Sequence, residues 1–182
     1  MLNKKISVNI FSQIKPYNKI ISVDSDKSIS IRSFLIGAIS HDISEIKNVL
    51  ESEDILSCIN CLKKLGVKIQ KVKSKHYLVY GKGLGSFYLK KNTVLDCGNS
   101  GTTARLLIGL LSTNPEIQVK IKGDNSLNKR NMSKLINLMG EFGATFLPKN
   151  RSTFPLTLIS STIPVGIEYK AGVSAQLKSA VM

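Results

Sequence analysis

Three short stretches carry the residues with the clearest chemistry. They are Asp26-Lys27-Ser28-Ile29-Ser30-Ile31-Arg32, Asn99-Ser100-Gly101-Thr102-Thr103-Ala104-Arg105 and Ser174-Ala175-Gln176-Leu177-Lys178. Each opens on small polar residues and places a cation within the next two turns of a helix. The amino end of a helix has unpaired N–H groups and the positive end of the macrodipole, and both favour anions. Ser and Thr hydroxyls add donors, Gly101 lets a ligand approach the backbone, and Lys or Arg supplies countercharge. Taken singly, these polar residues also read as ordinary N-caps. Capping does not account for Lys27, because a cation in the first turn opposes the dipole. Lys27 needs an anion or an acidic neighbour such as Asp24 or Asp26. A fourth cluster, Gly123-Asp124-Asn125-Ser126-Leu127-Asn128-Lys129-Arg130, ends in adjacent cations. It reads equally as a solvated loop or as a bidentate anion site built on Arg130.

The elements that must position these stretches follow from periodicity. Short strands are predicted over 5–11 and 18–23, then a helix from about Ser28 to Ser40 and a strand over 45–50. Apolar residues at 55, 56, 59, 62 and 65 have a helical period over Asp54–Leu65, and Gly66 stops that helix. Strands at 67–71 and 76–80, a Gly-rich turn at 81–85 and a strand pair over 86–96 come next. The pattern then begins again. A helix over Gly101–Leu111 is apolar on nearly all sides, which marks a buried helix. Strand 116–122, a polar loop, helix 131–142 stopped by Gly143, and strands at 144–148 and 154–159 follow it. Ser174–Lys178 starts a third round.

This is an internal repeat of strand, helix, strand, helix, strand, strand. Arg32, Arg105 and Lys178 recur at a constant interval of 73 residues, and Gly66 and Gly143 stop equivalent helices. If the units pack around one axis, their helix starts converge on one anionic ligand.

Composition supports such a partner. The 182 residues hold 26 Lys and Arg against 12 Asp and Glu, a net charge of +14, with 42% apolar residues to form a core. The charge fits nucleic acid, an anionic membrane or a phosphorylated small molecule; a general Lys bias accounts for it too. No apolar run reaches the ~18 residues a membrane span requires, and no apolar signal-peptide core follows the basic start. Cys58-Ile59-Asn60-Cys61 has CxxC spacing but lacks a second ligand pair, so thiols on a helix are expected and no metal site is assigned. A reducing cytoplasm is the expected compartment. His41 and His76 are isolated, and neither a Ser/His/Asp set nor a nucleotide-binding Gly motif occurs.

The same stretches resemble the enolpyruvyl transferases, and within them the EPSP synthases. The resemblance rests on Asp26–Arg32, on Leu50-Glu51-Ser52-Glu53-Asp54, and on Leu95-Asp96-Cys97-Gly98-Asn99-Ser100-Gly101-Thr102-Thr103-Ala104-Arg105. Gly123–Leu127 with Arg130, and Ser174–Ala180, complete the five motifs in family order. It implies an incomplete α/β fold of repeated βαβαββ units, with buried helices and sheets outside. Residues 1–22 would supply a strand segment of another domain. Residues 23–182 would form a substrate-binding domain of two full units and the start of a third. The implied reaction moves the enolpyruvyl group of phosphoenolpyruvate to the 5-hydroxyl of shikimate 3-phosphate, with no metal or organic cofactor. Lys27, Ser28, Arg32, Ser174, Ala175 and Gln176 would bind shikimate 3-phosphate. Lys27, Asn99, Gly101, Arg130 and Gln176 would bind phosphoenolpyruvate.

The sequence departs from the family at Asp24-Ser25, where Pro-Gly is usual, at Ile31, where His is common, and at Asn131, where Pro is usual. The cations are kept. The proton-transfer groups are expected beyond residue 182, so the chain is read as an inactive piece of a longer, monomeric enzyme. Two rivals remain. A UDP-sugar enolpyruvyl transferase would need a Lys-Asn pair and a loop cysteine, and Cys97 is misplaced for that. A basic RNA-end-processing or nucleic-acid-binding protein would need aromatics on a basic face.

Overall fold

The computed structural model describes residues 20–90, 92–170 and 172–182, together with Asn9 and Asn18. Five helices and seven strands alternate along the described residues. The first unit holds α1 (Lys27–Ile39), β1 (Ile43–Lys47), α2 (Glu53–Lys64), β2 (Lys68–Lys73) and β3 (His76–Tyr80). The second holds β4 (Val94–Asp96), α3 (Gly101–Ser112), β5 (Gln118–Lys122), α4 (Ser133–Glu141), β6 (Thr145–Leu147) and β7 (Leu156–Ile159). Then comes α5 (Ala175–Val181).

The sheets confirm the repeat. The first has the order β1-β3-β2, the second β4-β5-β7-β6. The antiparallel trio β5-β7-β6 reproduces β1-β3-β2, and β4 adds to β5 in parallel. In the first unit the counterpart of β4 is the expected strand over 18–23. Residues 20–23 form no ladder, although the Asn48 amide donates to the Val23 carbonyl at 3.2 Å and places them beside the end of β1. The expected strand at 5–11, and most of the 1–22 segment, lie outside the described residues. The strand pair expected over 86–96 shrinks to β4. The Phe87 N–H and carbonyl pair with the buried side chain of Asn114, both at 3.1 Å, so Phe87 satisfies its backbone without a partner strand.

The helices lie inside and the sheets outside. In α3, Thr102, Thr103, Ala104, Leu106, Leu107, Ile108 and Leu111 are all buried, as its apolar sequence predicts. Each fully buried Leu or Ile there contributes about 1.5–3 kcal/mol. The strands point alternate residues inward against it, Val119 and Ile121 from β5 and Leu156 and Leu158 from β7.

Two devices hold the frame. Glu51, just before α2, accepts hydrogen bonds from the Lys75 N–H (3.1 Å) and the Tyr77 hydroxyl (2.7 Å), and pairs with Lys71 at 2.8 Å. These partners, Lys71 foremost, lower its pKa to about 2. It thereby fastens the β2–β3 hairpin to the start of α2. The second device is Gly109. A side chain there would lie 2.2 Å from the Ala180 carbonyl oxygen, so its absence lets α5 cross directly on α3.

Two predictions follow from these devices. Because the folded-state pKa of Glu51 is depressed, its contribution is fully present above the unfolded value near 4.5 and fades as pH falls toward about 2. Thermal melts of Glu51→Gln will therefore change less over that acid window than those of the parent chain. Gly109→Val will cost about 1–3 kcal/mol by overpacking in urea denaturation, because the obstructing atom is backbone and cannot rotate away.

Candidate anion-binding site

The three helix starts are capped as their sequences predict. Asp26 accepts from the Ile29 N–H at 2.7 Å, Ser100 from Thr103 at 3.3 Å, and Ser174 from Leu177 at 3.3 Å. Hydrogen bonds also tie the starts to one another. Gln176, in the first turn of α5, donates to the Thr102 hydroxyl, in the first turn of α3, at 2.9 Å. Arg32, in the second turn of α1, donates from Nε and Nη2 to the Ser179 hydroxyl in the second turn of α5, at 3.2 and 2.9 Å. Pairs at matching depths mean that the helices run side by side with their amino ends at one level.

Two cations meet at the start of α3. A methyl group on Gly101 would lie 2.8 Å from Nη1 of Arg105 and 2.8 Å from Nη1 of Arg130. Two guanidinium groups thus flank the open Cα of Gly101. Arg105 donates to the Gly101 carbonyl at 3.2 Å and Arg130 to the Asn99 amide oxygen at 2.5 Å. Neither has a carboxylate partner among the described residues. Burial, and then the charge of Arg130, push the pKa of Arg105 down. Like charges held this close at the positive end of a helix dipole favour an anion.

The 123–130 stretch is built to deliver Arg130. Asp124 caps Leu127 at 2.7 Å, the Asn128 side chain clamps the Gly123 N–H and carbonyl at 2.9 Å each, and Leu127 is buried. The Asp124 N–H donates to the Gly98 carbonyl at 2.8 Å, which binds this loop to the turn before α3. The stretch is thus anchored at Gly123 and Leu127, while Asp124, Asn125, Ser126, Lys129 and Arg130 stay exposed to water. On the other side, Arg105, Asn131, Lys134, Ser174 and Gln176 line a cavity of about 390 Å³ between the starts of α3, α4 and α5.

A sequence profile of the family described as EPSP synthase (3-phosphoshikimate 1-carboxyvinyltransferase) matches residues 11–182. The chain belongs to the EPSP synthase family. A 3-phosphoshikimate 1-carboxyvinyltransferase of Syntrophomonas wolfei is 44% identical over 174 residues, which is 95% of this chain and 40% of that protein. One from a Thermoanaerobacter species is 43% identical, over 90% of this chain and 38% of its own length. The solved EPSP synthase of Acinetobacter baumannii superposes with a TM-score of 0.80 at 32% identity, covering 88% of this chain and 36% of that one. The chain thus spans about two fifths of the relatives it matches. The family fold of repeated units with internal helices agrees with the architecture above.

Of the residues singled out in the sequence, Asn99, Gly101 and Arg130 come together at the start of α3. Gln176 sits across from them on Thr102, behind Ser174 and Ala175 at the start of α5. Arg32 reaches α5 while its Nη1 donates to the Ser28 carbonyl at 3.1 Å. Lys27 pairs with neither Asp24 nor Asp26. Its partner is Asp54 of α2, at 2.8 Å. Arg105, which the sequence offers as the countercharge of its helix start and as a repeat position, lies beside Gly101 with Arg130. Cys58, Cys61 and Cys97 are buried free thiols, and burial raises the Cys58 pKa to about 12. No group of three metal-ligating side chains occurs among the described residues. No described helix is long and apolar enough to cross a membrane.

Inorganic phosphate will raise the melting temperature of the chain. A hundredfold excess over Kd adds about 2.7 kcal/mol. Arg105→Ala and Arg130→Ala will each reduce that rise, as read by differential scanning fluorimetry.

Proposed function

We propose that this chain forms one wall of the cleft in which an enzyme transfers the enolpyruvyl group of phosphoenolpyruvate to the 5-hydroxyl of shikimate 3-phosphate, releasing phosphate. Family membership supports the reaction. The observation that carries the site is the guanidinium pair of Arg105 and Arg130 over the open Cα of Gly101. Phosphoenolpyruvate would lie against Gly101, with Asn99, Arg130, Lys27 and Gln176 around it. Shikimate 3-phosphate would lie against Lys27, Ser28, Arg32 and the start of α5, at Ser174, Ala175 and Gln176. Gln176, bonded to Thr102, stands between the two subsites.

The physical task of such a wall is to bring two anions together. In water they repel. Here helix amino ends and fixed cations offset that repulsion before the substrates arrive, and nothing has to reorganise when they meet. Holding the two reactants side by side also removes the entropic cost of a bimolecular encounter. Cleavage of the carbon–oxygen bond to phosphate places new charge on the leaving group, where the Arg105 and Arg130 guanidinium groups would stabilise it. Proton transfer would fall to residues outside this chain.

The domain reading extends this. Residues 23–182 would make the substrate-binding domain, with α5 opening a third unit. The exposed Ile29 and Ile36 on α1 are apolar surface that such a unit would cover. The 1–22 segment would join the other domain. Three buried, unpaired thiols fit a reducing cytoplasm, and the finished enzyme would act as a monomer.

The test is calorimetry with shikimate 3-phosphate. Arg32→Ala will weaken binding at least about tenfold, the size of a lost charge-assisted contact. Equal affinity after the change rules out the assigned subsite. Salt-sensitive binding of random RNA in place of shikimate 3-phosphate would favour the nucleic-acid reading.

A further inference from the structure

Lys27 and Asp54 form an uneven pair. The Lys27 side chain is 50% exposed, whereas the Asp54 carboxylate, 2.8 Å away, is 18% exposed. The acid is fixed in the frame, and the ammonium projects from it. Asp54 also begins a stripe along α2 with Ser57, Cys58 and Cys61, spaced so that all four share one helix face. The other three members meet the second unit. Ser57 Oγ lies 2.7 Å from the position a Gly98 side chain would take, so it packs against the turn leading to Gly101. The fully buried Cys58 thiol lies beside Thr103 of α3. Cys61 donates to the Asp96 carbonyl at 3.3 Å. One face of α2 therefore holds Lys27 at one end and the start of α3 along the rest.

We propose that Asp54 is the positioning residue that fixes the Lys27 ammonium between the two anion subsites. The inference rests on the two-substrate reading above and deepens it. An ammonium has three N–H donors and no acceptor. Asp54 engages one, which leaves two, one for each anionic substrate. A free lysine would sample many rotamers and lose that freedom on binding; a pinned one has lost it already. The stripe on α2 makes the pinning useful. It sets the ammonium at a constant offset from Gly101, Arg105 and Arg130, so that the cation serving both ligands keeps its distance from the pair serving one.

The sign of the effect separates this role from simple charge balance. A carboxylate beside an anion site repels the ligand, so on Coulomb grounds alone its removal strengthens binding. Positioning predicts the reverse. The experiment is calorimetric titration of the full chain with phosphoenolpyruvate and with shikimate 3-phosphate, paired with thermal melts. Asp54→Ala is expected to weaken both ligands about tenfold, while Asp54→Asn, which keeps an acceptor facing Lys27, stays within about threefold. Both variants are expected to melt close to the parent. If Asp54→Ala does not fold, Asp54→Ser replaces it, with a polar side chain too short to reach Lys27. Equal or tighter binding without the carboxylate overturns the proposal. So does a loss in both variants that only follows their melting temperatures. Absence of binding by the unaltered chain removes the two-substrate reading itself, and this inference with it.

Discussion

Helix α3 has no polar side to turn toward water. It packs against α5, α4, α1, α2 and β7, and the groups of its amino end are what it can offer to an anion. Burial of this kind gives direction. The backbone dipole emerges at one place, in a setting where low polarity along the shaft keeps the field from being screened. The Gly109 crossing extends the constraint to α5, whose start is drawn level with that of α3. The sheets and loops then have the secondary task of delivering side chains to that level. The 123–130 loop brings Arg130, and α2 brings Asp54 to Lys27.

Holding cations at the positive ends of helices is unfavourable until an anion is present. The structure bears this strain in two ways. At Lys27 a carboxylate offsets the charge and keeps the side chain in place. At Gly101 there is no such acid, and the two guanidinium groups rest on a carbonyl and an amide oxygen, which are weak acceptors by comparison. The difference divides the site into a cation that is placed and a pair that is unsatisfied. An arriving dianion gains most at the pair. The Glu51 contacts, just before α2, help the frame tolerate the cost.

Much of this was legible in the sequence, for reasons that can be named. The helices α1, α2 and α3 came through because their apolar spacing has a period and their ends carry Asp26, Gly66 and Ser100. The repeat came through because Arg32, Arg105 and Lys178 keep their interval even where neighbouring residues drift. The caps were local and therefore readable. What failed was non-local. The partner of Lys27 lies on another helix, and Asp24 and Asp26 were nearer only along the chain. Of the strand pair read over 86–96 only β4 forms, and the backbone of Phe87 bonds to the Asn114 side chain from outside the stretch. The loop at 123–130 read equally as solvated or as an anion site, because its clamp, Asn128, and its anchor, Leu127, acquire meaning only once Gly98 is beside them.

The bond from Arg32 to Ser179 joins residues 147 positions apart. Closing so long a stretch carries the largest entropic cost of any contact in the site and rewards it last. The hairpin contacts inside each repeat close far shorter loops. A ribosome will therefore have released the first unit, with α1 and its cap complete, while the pocket that α1 serves does not yet exist. The contact that gathers α1 onto α5 is thus the one that the order of synthesis supplies last.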